Sequence, residues 1–264
     1  MKISILGCGW LGLPLGRFWL DKGYQVKGST TRESQFEKLV QAGIDPYTIN
    51  LNSEGIQGDF SGFIKDAEVL VIAIPPGLRK TKPENFTDKI KFLLSKIKQS
   101  SLQKLIFVSS TSVYGDHQGE VDEETIPEPD TESGRQLYAT EELLLQLDQC
   151  SICVLRLGGL LGPDRHPVTF LSGRKELSSP KSPVNLIQQQ EVIEIIDFLI
   201  ELETLPKRVN AVFPEHPEKA TYYANEAQKR GLPLPEFNLS DTQIGKCVHS
   251  NVLHQLGHSF THSL

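Results

Sequence analysis

Gly7-Cys8-Gly9-Trp10-Leu11-Gly12 spaces three glycines as G-x-G-x-x-G. The motif follows a short β-rich run, Lys2 to Leu6, and opens a stretch, Trp10 to Leu20, whose apolar residues recur at helical intervals. In that setting each glycine has a mechanical task. Gly7 permits a tight turn, Gly9 lets a pyrophosphate approach the backbone, and Gly12 lets helix and strand pack closely. The turn that also holds Cys8, Trp10 and Leu11 presents amides at a helix N-terminus, where unpaired N–H groups and the helix dipole favour an anion. The chemistry predicted is dinucleotide binding.

The second predicted strand, Tyr24 to Gly28, runs into Ser29-Thr30-Thr31-Arg32. No Asp or Glu stands there to accept hydrogen bonds from an adenosine ribose. The hydroxyl of Thr31 and the guanidinium of Arg32 suit a 2'-phosphate instead, which favours NADP over NAD. The alternative is that Arg32 simply begins a surface helix. Other candidates follow. Ser109, Ser110 and Thr111 end the fifth predicted strand, and Tyr138 lies on the next helix. Asp116 to Glu132 is strongly acidic and reads as a solvated loop. Arg165 and His166 follow a Gly-Pro turn, where they could bind an anion or cap the turn.

The elements that must position these residues alternate. Helices are predicted over Glu33 to Ala42, Asn85 to Ile97, Gln136 to Leu147, Val192 to Leu202 and Lys219 to Arg230. Strands are predicted over Pro46 to Leu51, Val69 to Ile74, Lys104 to Val108, Cys153 to Leu157 and Val209 to Phe213. This rhythm specifies an α/β fold, a Rossmann-type doubly wound parallel sheet with a small C-terminal substrate lobe. Residues 1–157 form the nucleotide-binding core in this reading, with 184–213 returning to it, and 158–183 and 214–264 form the lobe.

Composition narrows the function. A net charge of -6 argues against general nucleic-acid binding. No apolar run approaches the roughly 20 residues of a membrane span. Met1 to Leu6 reaches Gly7 too soon to form a secretory signal, so a cytoplasmic location is expected. Among the four cysteines only Cys150 and Cys153 have motif spacing, and Cys153 lies in an apolar strand. His249, His254, His258 and His262 lack the pattern of a metal site and read as surface or lobe residues, so no metal is expected.

Phe107-Val108-Ser109-Ser110-Thr111-Ser112-Val113-Tyr114-Gly115 resembles the segment that extended short-chain dehydrogenases/reductases carry after their fifth strand. Arg156 to Pro163 resembles their next strand and turn, and Val184 to Ile187 their next helix entrance. The chain's length, with Gly158 to Pro167 and Ser133-Gly134-Arg135, resembles the atypical YeeZ-like members, NAD(P)-dependent and epimerase- or dehydratase-like. The resemblance implies nicotinamide near Ser110 and Thr111, a cofactor lined by Ala73, Pro75 and Ser109, a substrate held by the second lobe, and a homodimer. It also exposes a departure. The family's proton-transfer unit is Tyr-x-x-x-Lys, whereas the comparable spacing here is Tyr138-Ala-Thr-Glu-Glu142, and no lysine occurs between Lys104 and Lys175. Ser133 or Gly134 fits the tyrosine position equally well. Gln188, Gln190 and Glu191 stand where relatives often carry His and Asp. Two functions are therefore carried forward. One is an oxidoreductase or epimerase/dehydratase-like enzyme with a degenerate site, acting on a small sugar-like or nucleotide-linked molecule. The other is a catalytically inactive NADP(H)-binding sensor or partner protein.

Overall fold

In a computed structural model that describes residues 1–77 and 84–264, seven strands form one sheet. They are β1 (Lys2–Leu6), β2 (Gln25–Thr30), β3 (Asp45–Thr48), β4 (Val69–Ile72), β5 (Lys104–Ser110), β6 (Ser151–Leu157) and β7 (Arg208–Ala211). Their order, β7-β6-β5-β4-β1-β2-β3, steps outward in both directions from β1. That reversal beside β1 is the switch point of a doubly wound sheet. Ile3 sits opposite Val26 on one side and Val69 on the other, both in parallel register. All four residues of β4 are buried, as a strand covered on both faces must be. Ser4, buried within β1, donates to the Phe63 carbonyl at 2.7 Å and so leaves no polar group unsatisfied.

Among the described residues the longer helices that accompany the sheet and its insertions are α1 (Gly12–Asp21), α2 (Glu33–Gln41), α3 (Phe86–Lys98), α4 (Glu132–Leu144), α5 (Gln189–Glu201) and α6 (Lys219–Lys229). On α1 the buried residues Gly12, Leu15, Gly16 and Trp19 make one stripe. Trp19 is fully buried, and its indole N–H donates to Asp197 of α5 at 3.0 Å. On α3 the stripe is Phe86, Ile90, Leu93 and Ile97, and the Asn85 side chain caps the helix by accepting from the Asp88 amide at 3.1 Å.

Two elements depart from the sequence reading. The third predicted strand breaks in two: Asp45–Thr48 joins the sheet, and Asn50–Asn52 turns into an antiparallel pair with Gly55–Gln57. The Asn52 side chain makes that turn by accepting from the amides of Glu54 and Gly55. Helix α4 begins four residues earlier than its apolar spacing suggests. Its polar first turn is held by Glu132, which accepts from Arg135 at 3.1 Å and Gln136 at 2.7 Å.

By compactness the chain falls into two units. The first comprises Met1–Ser110, Glu132–Leu155 and Ile193–Arg208. The second comprises Thr111–Thr131, Arg156–Val192 and Val209–Leu264. Within the second, Gly159–Leu161 pairs in parallel with Leu186–Gln188, and Glu120–Val121 with Cys247–Val248. Its core gathers Leu161, Val168, Val184, Leu186, Tyr222, Tyr223 and Ala227. Among the described residues no helix is long and apolar enough to cross a membrane. Leu78 to Pro83 lie outside the description.

Candidate functional site

The turn after β1 is built by its glycines as their spacing demands. Gly7 has φ of +104°, a conformation that side chains resist, and its amide donates to Ser29 Oγ at 2.9 Å. The Cys8 amide donates to the Ser29 carbonyl at 2.8 Å, so β2 fixes the turn from beside it. Cys8 itself points inward. A Cβ on Gly28 would stand 2.6 Å from its sulfur, so Gly28 makes the room that Cys8 occupies. Burial pushes the Cys8 thiol up to about 12, and it packs as a neutral side chain. A Cβ on Gly12 would meet the Gly7 carbonyl oxygen at 2.4 Å, which is the close helix-to-strand approach. At Gly9 a Cβ would meet nothing within 4 Å. This open position beside the first amides of α1 is the space a pyrophosphate needs, and the residues present fit that group.

At the far end of β2, Ser29 and Thr30 are buried while Thr31 and Arg32 are exposed. Thr30 Oγ1 accepts from the Arg32 amide at 3.1 Å, which holds the chain where Arg32 enters α2. Ala73, just past β4, donates its amide to the Leu6 carbonyl at 2.8 Å and is half-buried, and Pro75 is exposed. The Ala73 carbonyl would stand 3.0 Å from a Cβ on Gly7, so Ala73 borders the glycine turn.

Ser109 and Ser110 finish β5, and Thr111 opens a short 3-10 turn, Thr111–Val113. Ser109 is buried and its hydroxyl donates to Glu141 Oε1 at 2.5 Å, while Glu141 is fully buried. This contact fixes the register of α4. Because α4 crosses between the parallel neighbours β5 and β6, it runs antiparallel to β5. Tyr138 lies about 4.5 Å along the axis from Glu141. Ser110 lies about 3.3 Å beyond Ser109 in the same direction. Tyr138 stands one helical turn before Glu141 on α4, and Ser133 and Gly134 lie in the first turn of that helix. Glu142, four residues after Tyr138, is paired with Arg208 at 2.5 Å. Arg135 is paired with Glu132 on the exposed face.

The second unit holds a polar cluster that spacing does not announce. Arg156 is fully buried, donates to the Tyr114 hydroxyl at 2.7 Å, and stacks 5.0 Å from that ring's centre. The Tyr114 hydroxyl is within reach of the Asp122 carbonyl at 2.7 Å and Asn210 Oδ1 at 3.1 Å. Glu123, also buried, accepts from the amides of Asn210 at 3.0 Å and Val252 at 3.3 Å. Burial pushes its carboxyl above the usual carboxylate range. The reading of Asp116 to Glu132 as a solvated loop is corrected here: Val121 and Glu123 are inside, held by backbone partners from distant segments. His166 also lies inside. Its Nδ1 accepts from the Val168 amide at 3.2 Å and its Nε2 meets the Tyr222 hydroxyl at 3.1 Å, so it caps the turn. Glu191 is fully buried and accepts from His258 at 2.8 Å and from the amides of Thr261 and His262, tying down the C-terminal segment. Ser29, Glu141 and Tyr114 were not singled out as site residues by sequence reasoning. The only signal for them was their presence in or beside motifs read for other reasons.

This fold and glycine turn accord with comparison to known proteins. The NAD dependent epimerase/dehydratase family matches over residues 3–175, and the chain belongs to that family. It is 35% identical over 262 residues to Protein YeeZ of Escherichia coli strain K12, covering 98% of this chain and 95% of that one. UDP-glucuronic acid 4-epimerase from Bacillus cereus, solved in complex with NAD, superposes with a TM-score of 0.80 at 19% identity, over 100% of this chain and 93% of that one. A functionally unknown conserved protein from Silicibacter pomeroyi superposes with a TM-score of 0.79 at 21% identity, over 99% and 94% of the two chains. The atypical short-chain dehydrogenase/reductase resemblance is thereby upheld, and so is the Rossmann-type sheet.

Proposed function

We propose that the protein is an NAD(P)-dependent enzyme of epimerase or dehydratase type, preferring NADP and acting on a small sugar-like or nucleotide-linked molecule. The observation that carries this reading is the glycine turn, closed at Gly12 and open at Gly9 beside the first amides of α1. Two solved relatives support the substrate class: the Bacillus cereus epimerase, and MoeE5, whose structure contains UDP-glucuronic acid and NAD. A nicotinamide dinucleotide, when bound, supplies a hydride acceptor and donor. Gly7 to Gly12, with Ala73, Pro75 and Ser109, would hold it, and Thr31 and Arg32 would take the 2'-phosphate. Ser110 and Thr111 would hydrogen-bond the substrate oxygen whose charge changes. Tyr138, one helical turn before Glu141, is the candidate for moving the proton, but a phenol with a reference pKa near 10 is only about one part in a thousand ionised at neutral pH. Residues 158–183 and 214–264 would hold the substrate.

A second reading, an NADP(H)-binding sensor or partner protein without turnover, is favoured by one observation. Glu142 stands in the lysine's place and is already paired with Arg208. The test measures NADPH and NADH affinities for the wild type and Arg32→Ala, then turnover with a panel of nucleotide sugars. Loss of the charged contact should weaken NADPH binding about 10- to 100-fold and leave NADH unchanged. An unchanged NADPH affinity would overturn the NADP preference. Reduction or epimerisation of any panel member would exclude the sensor.

A further inference from the structure

Three side chains far apart in sequence converge in the second unit. The ligand atoms of His216, Cys247 and His249 all lie within 4.8 Å of one another. We propose that His216, Cys247 and His249 form a binding site for a transition-metal dication of the zinc type, with Glu120 orienting His249 and a fourth position open to water.

The donor set is the first argument. One thiolate and two imidazoles match the ligands zinc takes, and three protein ligands with one exchangeable position is a common zinc arrangement. Orientation is the second. His216 Nδ1 lies 3.1 Å from the Val184 carbonyl, which can only accept, so Nδ1 carries the proton and Nε2 keeps the lone pair. His249 hydrogen-bonds the Glu120 carboxylate through Nε2. A ligand histidine whose other nitrogen donates to a carbonyl or carboxylate is the usual outer arrangement of a zinc site, and both histidines have such a partner. Spacing is the third. Donor atoms on one tetrahedral metal stand about 3.5 Å apart, so closure around an ion needs movements on the order of 1 Å, within the reach of side-chain rotation. The two imidazole rings already lie 5.6 Å apart, centre to centre.

Position is the fourth. Cys247 lies in the parallel pair of Cys247–Val248 with Glu120–Val121 and His249 directly follows it, while His216 stands in the segment between β7 and α6. An ion here would tie the second of these segments to the first, and binding would appear as stability. Access is open: the His249 side chain is 43% exposed and that of Glu120 74%. Spacing hides the site, because 30 residues separate His216 from Cys247 and local metal motifs are far shorter.

The test is titration of the full chain with Co2+ and Zn2+, in the absence of dinucleotide. Co2+ should give the strong visible bands of a tetrahedral site together with a thiolate-to-metal charge-transfer band, and Zn2+ should displace it and raise the melting temperature. Cys247→Ser should remove the charge-transfer band, and Glu120→Gln should weaken Zn2+ binding about 10- to 100-fold. A far-ultraviolet circular dichroism spectrum and a cooperative melting transition like the wild type's serve as the check that Cys247→Ser folds. Absence of a cobalt spectrum in the wild type, or a charge-transfer band retained in a folded Cys247→Ser, would overturn the site. Neither result bears on the dinucleotide reading, which rests on other residues.

Discussion

His166 shows how a single side chain can carry part of the acid sensitivity of its unit. It is 4% exposed, stacked on Tyr222 and edge-on to Tyr223, with Glu226 3.6 Å away and Arg230 and Lys229 close by. Burial lowers its pKa from the ordinary value, and Arg230 pushes the same way, against the smaller pull of Glu226. The folded protein thus resists a proton that the unfolded chain accepts below about pH 6.5. Stability from this group is complete above that pH and is lost as pH falls through the lower folded value. For Glu226 burial alone would raise the carboxyl, but Lys229 and Arg230 outweigh it, so its contribution is lost in a separate window below about pH 4.3. Melting curves between about pH 7.5 and pH 5.5 should therefore show a fall for the wild type that shrinks in His166→Asn. His216, lowered by burial, keeps part of the slope. Equal slopes in the two proteins would refute the assignment. None of this was legible beforehand, because His166 in sequence is only a histidine after a Gly-Pro turn, with two readings equally open. Burial decided between them, and burial is set by Tyr222 and Tyr223, more than fifty residues away.

At the level of elements, the strand–turn–helix at the N-terminus was almost wholly legible, since each glycine's task follows from backbone sterics alone. Gly12 illustrates the balance. Replacing it by alanine would gain about 1 kcal/mol of helix propensity. The new Cβ, however, would lie 2.4 Å from the Gly7 carbonyl oxygen, and backbone cannot swing aside as a side chain can. Overpacking of this kind costs about 1–3 kcal/mol. Gly12→Ala should be net destabilising in denaturant titration, and a variant as stable as the wild type would show that α1 and β1 are not held at this distance. Less legible were elements whose boundaries depend on polar contacts. Apolar periodicity starts α4 at Gln136, but Glu132 bonds its own turn and starts it earlier. Likewise Asn52 folds back the end of what reads as one strand.

On the scale of the whole chain, sequence and structure agree on the seven-stranded Rossmann-type sheet and on membership of the epimerase/dehydratase family. Agreement was possible because an alternating α/β pattern is repeated along the chain, so local errors of a few residues do not change the topology. What the pattern could not convey is how separate segments gather into the second unit. The acidic stretch 111–131 joins residues from 156–192 and 209–264 through partners such as Arg156–Tyr114 and Glu123–Asn210. The proposed enzyme and sensor readings differ on whether the chain, with no lysine between Lys104 and Lys175, turns over a substrate, and both require a dinucleotide at the first turn.

Melting temperature as a function of NADPH and NADH tests that requirement most directly, with Gly9→Val as the companion protein. Gly9 has no positive φ and open space where a side chain would stand, so Gly9→Val should fold with nearly wild-type stability while filling the phosphate position. At about 100 times Kd a dinucleotide should raise the wild-type melting temperature by about 5 °C or more. Gly9→Val should show no such rise. A wild type indifferent to both dinucleotides, or a Gly9→Val protein stabilised as strongly as the wild type, would contradict the account.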